Sequence, residues 1–218
     1  MSVQKTKPSD QQLAAAARSG NISAEDIISA AVSLLGTHRS VSSLGLREIA
    51  RAANIAPNSF YRHFRDVDEL TVGLIDQAGR SLRGIIREAR LRLSPERSAI
   101  RTSVEAFMDQ LDSEDKYLQI LLREMSIGSE AFRRAADREL THFEDELRDE
   151  IIRIQITVGA HTYEPALASK AITRLVFAMG AAAADATAEE RKEISEQIVV
   201  MLRMIMTGAQ TLAKQTAK

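Results

Sequence analysis

The chain has no cysteine and no tryptophan, and only three of its 218 residues are tyrosine. Without cysteine there are no disulfides, thiol nucleophiles or cysteine-ligated zinc, which is compatible with a cytoplasmic protein. The N-terminal stretch MSVQKTKPSDQQ has no apolar core and does not read as a secretory signal. The longest near-continuous apolar run, Leu175 to Ala184, is too short to span a bilayer, so no membrane segment is expected. No alternating strand pattern, internal repeat or low-complexity run occurs beyond short alanine tracts. A G-x-S-x-G elbow, a phosphate loop and a dinucleotide fingerprint are all missing, which argues against the common enzyme classes.

What remains favours helix. Apolar residues make up 44 % of the chain, enough for a sizeable core, and Ala, Leu, Ile, Arg and Glu dominate. The fold class expected is all-α. Net charge is −1, but it is unevenly spread. From Arg39 to Arg65 five arginines face one acid, Glu48, a local +4, and the rest therefore carries −5. A basic segment on an acidic body suits a nucleic-acid-contacting head joined to a body with another task.

The order of breakers and caps predicts three regions: an arm over 1–20 with a helical stretch at Gln11–Arg18, a head over 21–65, and a helical body over 66–218. Ser23 with Asp26 opens the first helix, whose stripe is Ile27, Ile28, Ala31, Leu34 and Leu35, and Gly36 ends it. A helix over 46–53 follows, with Asn54 at the turn, since Asn tolerates positive φ. Pro57 opens a short helix to about Phe64. Phe60 and Phe64 are four apart and share its inward face, which leaves Asn58, Ser59, Tyr61, Arg62 and His63 outside. Asp66 with Glu69 opens a helix to Leu91 or Arg92. The body should continue with helices over 95–111, 115–124, 129–156, 165–185 and 189–213, with a break at Gly128.

Helix, tight turn, short basic helix is the helix-turn-helix pattern. Here Leu46-Arg47-Glu48-Ile49-Ala50, Ile55-Ala56, Phe60-Tyr61-Arg62-His63-Phe64 and Asp68-Glu69-Leu70 closely resemble the signature of TetR-family repressors. The resemblance implies a homodimer on palindromic operator DNA. Tyr61 and His63 would hold phosphate, and the helix starting at Pro57 would enter the major groove. Physically, Asn58 and Ser59 at the start of that helix would lie deepest and read bases. Arg47 and Arg62 could meet either base or phosphate. Glu25 and Asp26 stand where the family often carries a basic pair; Lys5, Lys7 and Arg18 of the arm could substitute.

From Arg39 to Gly208 the chain is also similar to the FabR/DesT branch, repressors of unsaturated fatty acid synthesis. The segments APNSFYRHFRDVDEL, IRTSVEAFMD, LLRE before AFRRA, and 200–205 carry this likeness. It implies no cofactor and no catalysis, and an acyl thioester effector such as long-chain acyl-CoA or acyl-carrier protein. The alternative is a regulator sensing another hydrophobic molecule, as in drug-efflux control. Phe107, Met108 and Leu111, then Leu118, Leu121 and Leu122, then Phe132, Phe143 and Phe177 are candidate pocket residues. Each could equally belong to an ordinary core. Arg123, Arg133 and Arg134 could meet a phosphopantetheine end or be surface charges.

The last two helices carry wide apolar stripes suited to a four-helix dimer interface. Ile172, Leu175, Met179 and Ala183 form one, and Ile198, Met201, Leu202 and Ile205 the other. Small residues over 180–184 would let another helix approach. Glu139-x-x-His142 has the spacing of a helical di-iron ligand pair, but no second such pair exists, so a metal site is not expected. Such a regulator would be cytoplasmic, at the bacterial nucleoid.

Overall fold

The computed structural model describes residues 22–35, 41–91, 98–113, 117–127, 129–159 and 161–216. Among them are nine α-helices and no strand. The expected helix in the arm, and the breaks at Gly36 and Gly128, lie outside the described residues. Contacts divide the chain into two compact units, up to Leu74 and from Ile75.

The first unit begins with α1 (Ala24–Ser33), α2 (Leu46–Ala52) and α3 (Pro57–Phe60). The predicted capping box opens α1. The Asp26 N–H donates to Ser23 Oγ at 3.1 Å, and the Ser23 N–H donates to Asp26 Oδ2 at 2.9 Å. α1 packs on α2 and α2 on α3. Ile27, Ala31, Ile49, Phe60 and Leu70 are fully buried between them. Each of the larger ones, Ile27, Ile49, Phe60 and Leu70, contributes about 1.5–3 kcal/mol by leaving water.

α4 (Val67–Leu91) contains the division between the units. Its 25 residues correspond to a length of about 37 Å. The second unit continues with α5 (Ala99–Asp109), a 3₁₀ turn at Gln110–Asp112, and α6 (Tyr117–Ile127). α7 (Glu130–Val158), α8 (Pro165–Ala184) and α9 (Ala188–Thr216) complete it. α5 is two residues shorter at its C-terminus than the sequence pattern predicts, because Gln110–Asp112 tightens into the 3₁₀ turn. The start expected at Pro95 lies outside the described residues. α7 runs on to Val158, where Gly159 at φ 71° closes it in the left-handed region. α8 is long and apolar enough by composition to cross a membrane. Its buried residues, among them Ile172, Phe177 and Gly180, mark it instead as a core helix, and it packs on α6, α7 and α9.

Two glycines set the helix contacts of this body. A Cβ at Gly79 on α4 would lie 1.9 Å from Glu139 Oε2 on α7. A Cβ at Gly180 on α8 would lie 2.6 Å from the ring of Phe107 on α5. The small residues near Gly180 thus admit an aromatic ring, where the sequence suggested a helix. Arginine clamps add to the packing. Arg174 on α8 donates to Asp137 and Glu144 on α7, each at 2.8 Å, and Arg101 on α5 donates to Glu196 on α9 at 2.8 Å.

These environments predict opposite signs for one substitution. Gly84 on α4 has open space where a Cβ would go. Gly84→Ala should raise stability by about 1 kcal/mol through helix propensity. Gly180→Ala should lower it by about 1–3 kcal/mol, because Phe107 must give way. Urea unfolding followed by circular dichroism measures both.

Candidate nucleic-acid interface and effector cavity

The outward face of the first unit is built by its turn. Asn54 sits at φ 55°, and the Ile55 N–H donates to the Ala50 carbonyl at 2.9 Å, which folds the chain back to bury Ile55. Pro57 starts α3, whose α-helical part is only four residues and ends sooner than expected. The turn continues past it. His63 N–H donates to the Phe60 carbonyl at 3.0 Å and Phe64 N–H to the same carbonyl at 3.1 Å, so residues 61–64 stay coiled on α3. Phe60 and Phe64 point inward and are buried. Pro57, Asn58 and Arg62 are exposed, Tyr61 is 59 % exposed, and Ser59 and His63 are half-buried. Arg47 on α2 is exposed as well.

Arg47, Arg51 and Arg62 form no ion pair among the described residues, whereas Arg65 pairs with Glu69 at 3.2 Å. The local positive charge is therefore largely free to meet phosphate. Glu25 and Asp26 are different: Asp26 is occupied at the α1 cap, and its carboxyl is held below the usual range, chiefly by the Ser23 N–H. At the start of α4 the Glu69 N–H donates to Asp66 Oδ1 at 2.8 Å, as an N-cap predicts. Glu69 reaches back one residue further than the box pattern implies, accepting the Arg65 N–H at 2.6 Å.

The second unit contains a partly open cavity of about 550 Å³. It lies between α4, α5, α7 and α8, with Leu202 of α9 at one side. Of the expected pocket residues, Phe107, Phe143 and Phe177 line it. Phe177 meets Phe107 with ring centroids 5.4 Å apart and Phe143 at 5.1 Å, both edge to face. Met108, Leu111, Leu118, Leu121, Leu122 and Phe132 do not line it; they are buried in ordinary helix packing.

Sequence reasoning missed the polar wall: Arg83, Arg87 and Arg90 of α4, Ser103 of α5, and Glu146 and Glu150 of α7. The usable signal was the spacing of Arg83, Arg87 and Arg90, which puts all three on one face of a helix. Arg133 and Arg134, the expected contacts for a ligand's polar end, are exposed and do not line the cavity; Arg134 pairs with Glu130. The side chain of Arg123 is outside the described ones. Arg83 lies 5.3 Å from the Phe143 centroid and is nearly buried. It binds Glu139 at short range and Glu146 at 3.0 Å. Glu139 is thus a buried ion-pair partner. No group of three metal-ligating side chains occurs among the described residues.

The two C-terminal stripes divide. Ile172, Ala183, Ile198 and Leu202 are buried in the body's own core, which corrects their assignment to a contact surface. Leu175, Met179 and Ile205 are half-buried, and Met201 is 38 % exposed. The open apolar surface lies elsewhere on these helices, at Leu167 of α8 and Val200, Met204 and Leu212 of α9.

Residues 27–72 match the model for bacterial regulatory proteins of the tetR family. Solved structures share the fold. A transcriptional regulator from Pseudomonas aeruginosa PAO1 is 16 % identical at a TM-score of 0.65, over 92 % of this chain and 98 % of that one. AibR, solved with isovaleryl coenzyme A and operator DNA, is 14 % identical at 0.58, over 82 % and 97 %. The multidrug binding protein EbrR, solved with imidazole, is 16 % identical at 0.62, over 85 % and 96 %. The matched segment spans the helix-turn-helix, from α1 into the start of α4, and gives that head the character of a bacterial DNA-binding regulatory domain. The tetR-family match thus covers the head, residues 27–72, and the solved structures show that the chain as a whole shares their fold.

The cap of α4 makes the head sensitive to acid. The Arg65 N–H holds the Glu69 carboxyl below its usual range, with the Arg65 guanidinium adding to this. A depressed folded pKa stabilises above the unfolded value, about 4.3 for glutamate, and that stabilisation is lost as pH falls through the lower folded value. Glu69→Gln should therefore lose less stability between pH 7 and pH 3 than the parent protein. Urea midpoints at the two pH values give the comparison, and equal losses would exclude this role.

Proposed function

We propose that the protein is a homodimeric repressor that reads palindromic operator DNA and responds to an acyl thioester, long-chain acyl-CoA or acyl-carrier protein. It would control fatty acid metabolism genes, those of unsaturated fatty acid synthesis first. One observation carries the DNA reading: Phe60 and Phe64 are buried while Arg47, Asn58, Tyr61 and Arg62 stand exposed within the matched segment. Asn58 and Ser59 then read bases from the start of α3, and Tyr61 and His63 set register on phosphate. Arg47 and Arg62 add base or backbone contacts.

The acyl reading draws support from the cavity, whose size is in the range of small-molecule sites and whose floor is three phenylalanines. The fold neighbour AibR, by its description, binds an acyl-CoA. A second reading, a sensor of other hydrophobic molecules such as efflux substrates, is favoured by the same aromatic floor, which accepts flat rings as readily as acyl chains. Leu167, Val200, Met204 and Leu212 are the surface on which a second copy would pack, with Met201 beside them. α4 supplies part of the cavity wall and also begins directly after the helix-turn-helix, so an occupant that shifts α4 would alter the spacing of two heads on adjacent major grooves.

Mobility shifts on genomic fragments test the regulator. The parent protein should retain a palindromic fragment against competitor DNA. Tyr61→Ala should weaken binding uniformly across sequences, while Asn58→Ala should cost about 1–3 kcal/mol and relax specificity. Failure of the parent protein to select any fragment would sink the reading. Saturated and unsaturated acyl-CoA, added separately, should change operator affinity to different degrees; no change with either would leave the broader sensor. Native mass spectrometry should show a dimer, and Met204→Glu a monomer.

A further inference from the structure

Two parts of the cavity wall differ in chemistry. In one stand Phe107, Phe143 and Phe177, with Arg83 stacked on Phe143. In the other stand Arg90, Ser103 and Glu150. Arg83 and Arg90 are seven residues apart on α4, about 10 Å along its axis.

The charges that line this cavity are not equivalent. Each acid already has a cation. Glu146 receives Arg83 Nε at 3.0 Å, Asp149 receives Arg148 Nη2 at 2.9 Å, and Glu150 receives Arg153 Nη2 at 2.7 Å. Arg90 has no such match. Its Nε donates to Ser103 Oγ at 2.7 Å, while its two terminal nitrogens have no partner among the described residues. It is half-buried, and desolvation pushes its guanidinium below the usual arginine value, opposed by the charges of Glu150 and Glu146. Ser103 in turn donates to the Ala99 carbonyl at 2.7 Å, which fixes its oxygen as an acceptor for Arg90. Arg87, one turn before Arg90, also lines the cavity and has no bonded partner among the described residues. A desolvated guanidinium held by one bond, with its planar fork open to a cavity, matches a carboxylate or phosphate oxygen pair.

We infer that Arg90, fixed by Ser103 and assisted by Arg87, is an anion-recognition point for the effector's head, and that the three phenylalanines take its apolar tail. The ligand class is then an amphipathic anion and not an amphipathic cation. This rests on the effector-sensing reading above and narrows it. The anionic oxygens could belong to a free carboxylate or to the phosphates of a coenzyme A thioester.

Calorimetric titration with four twelve-carbon probes below their micelle concentrations tests this: dodecanoate, dodecanol, dodecyltrimethylammonium and dodecanoyl-CoA. At least one of the two anions should bind more tightly than the alcohol, and the ammonium most weakly. Arg90→Gln should weaken the binding anion by roughly ten-fold or more and leave dodecanol unchanged. Arg134→Gln, exposed and away from the cavity, should change nothing. Arg90-dependent binding of dodecanoate identifies a carboxylate head; dependence confined to dodecanoyl-CoA identifies the phosphates. Equal binding of dodecanol and both anions, tighter binding of the ammonium, or an equal loss for alcohol and anion in Arg90→Gln would each overturn the inference. Should that variant not fold, the ranking of the four probes on the parent protein still decides. If no probe binds while the same preparation still shifts operator DNA, the anion site falls and the DNA-binding reading stands.

Discussion

The body depends on one buried ion pair. Arg83 of α4 meets Glu139 of α7 with both side chains nearly removed from water, and Gly79 leaves the space that the Glu139 carboxylate fills. Two charges in such a place are costly to desolvate, and their attraction repays that cost only with close geometry. Removing either partner would leave an uncompensated buried charge, at a cost of about 3–5 kcal/mol. The pair therefore fixes where α4 lies against α7. Those two helices supply much of the cavity wall.

A second contact does for α5 and α8 what the ion pair does for α4 and α7. Phe107 enters the space over Gly180, and its ring stands edge to face with Phe177. Phe143 completes the group and carries Arg83 on its face. The aromatic floor and the ion pair thus share a residue. The cavity is the space these two fixed contacts leave between four helices.

Much of this was legible in the sequence because local chemistry writes helix starts plainly. Ser23 with Asp26, Asp66 with Glu69, Ser129 and the prolines at 57 and 165 all stand at helix N-termini. Phe60 and Phe64 were assignable inward because a four-residue step keeps side chains on one face of a coil, even where the regular α-helix stops at Phe60. The cavity was not legible in the same way. Leu121 and Phe132 look like Phe107 by periodicity, and only the packing of distant helices separates a wall from a core. The apolar stripes of α8 and α9 raised the same difficulty. Ile198 and Leu202 are buried within the body, while Met204, two positions beyond Leu202, remains 66 % exposed.

The arginines show how one residue type serves distinct tasks through its surroundings. Arg134 with Glu130 at the surface, and Arg153 with Glu150 at the cavity, are i,i+4 and i,i+3 pairs within one helix. Arg174 and Arg101 join different helices and so fix tertiary contacts, not local helix. Arg83 is buried and matched. Arg47, Arg51 and Arg62 are exposed and unmatched among the described residues, which is the condition for meeting a polyanion without first breaking an internal pair. Arg90 combines partial burial with terminal nitrogens that lack a carboxylate, and the cavity in front of it has room for one. A net charge of −1 conceals this arrangement, because the acids of the chain are concentrated where arginines need them. Cations without an ion pair among the described residues include Arg47, Arg51 and Arg62 on the face of the helix-turn-helix and Arg87 and Arg90 on the cavity wall, two places where a charged ligand has a physical reason to bind.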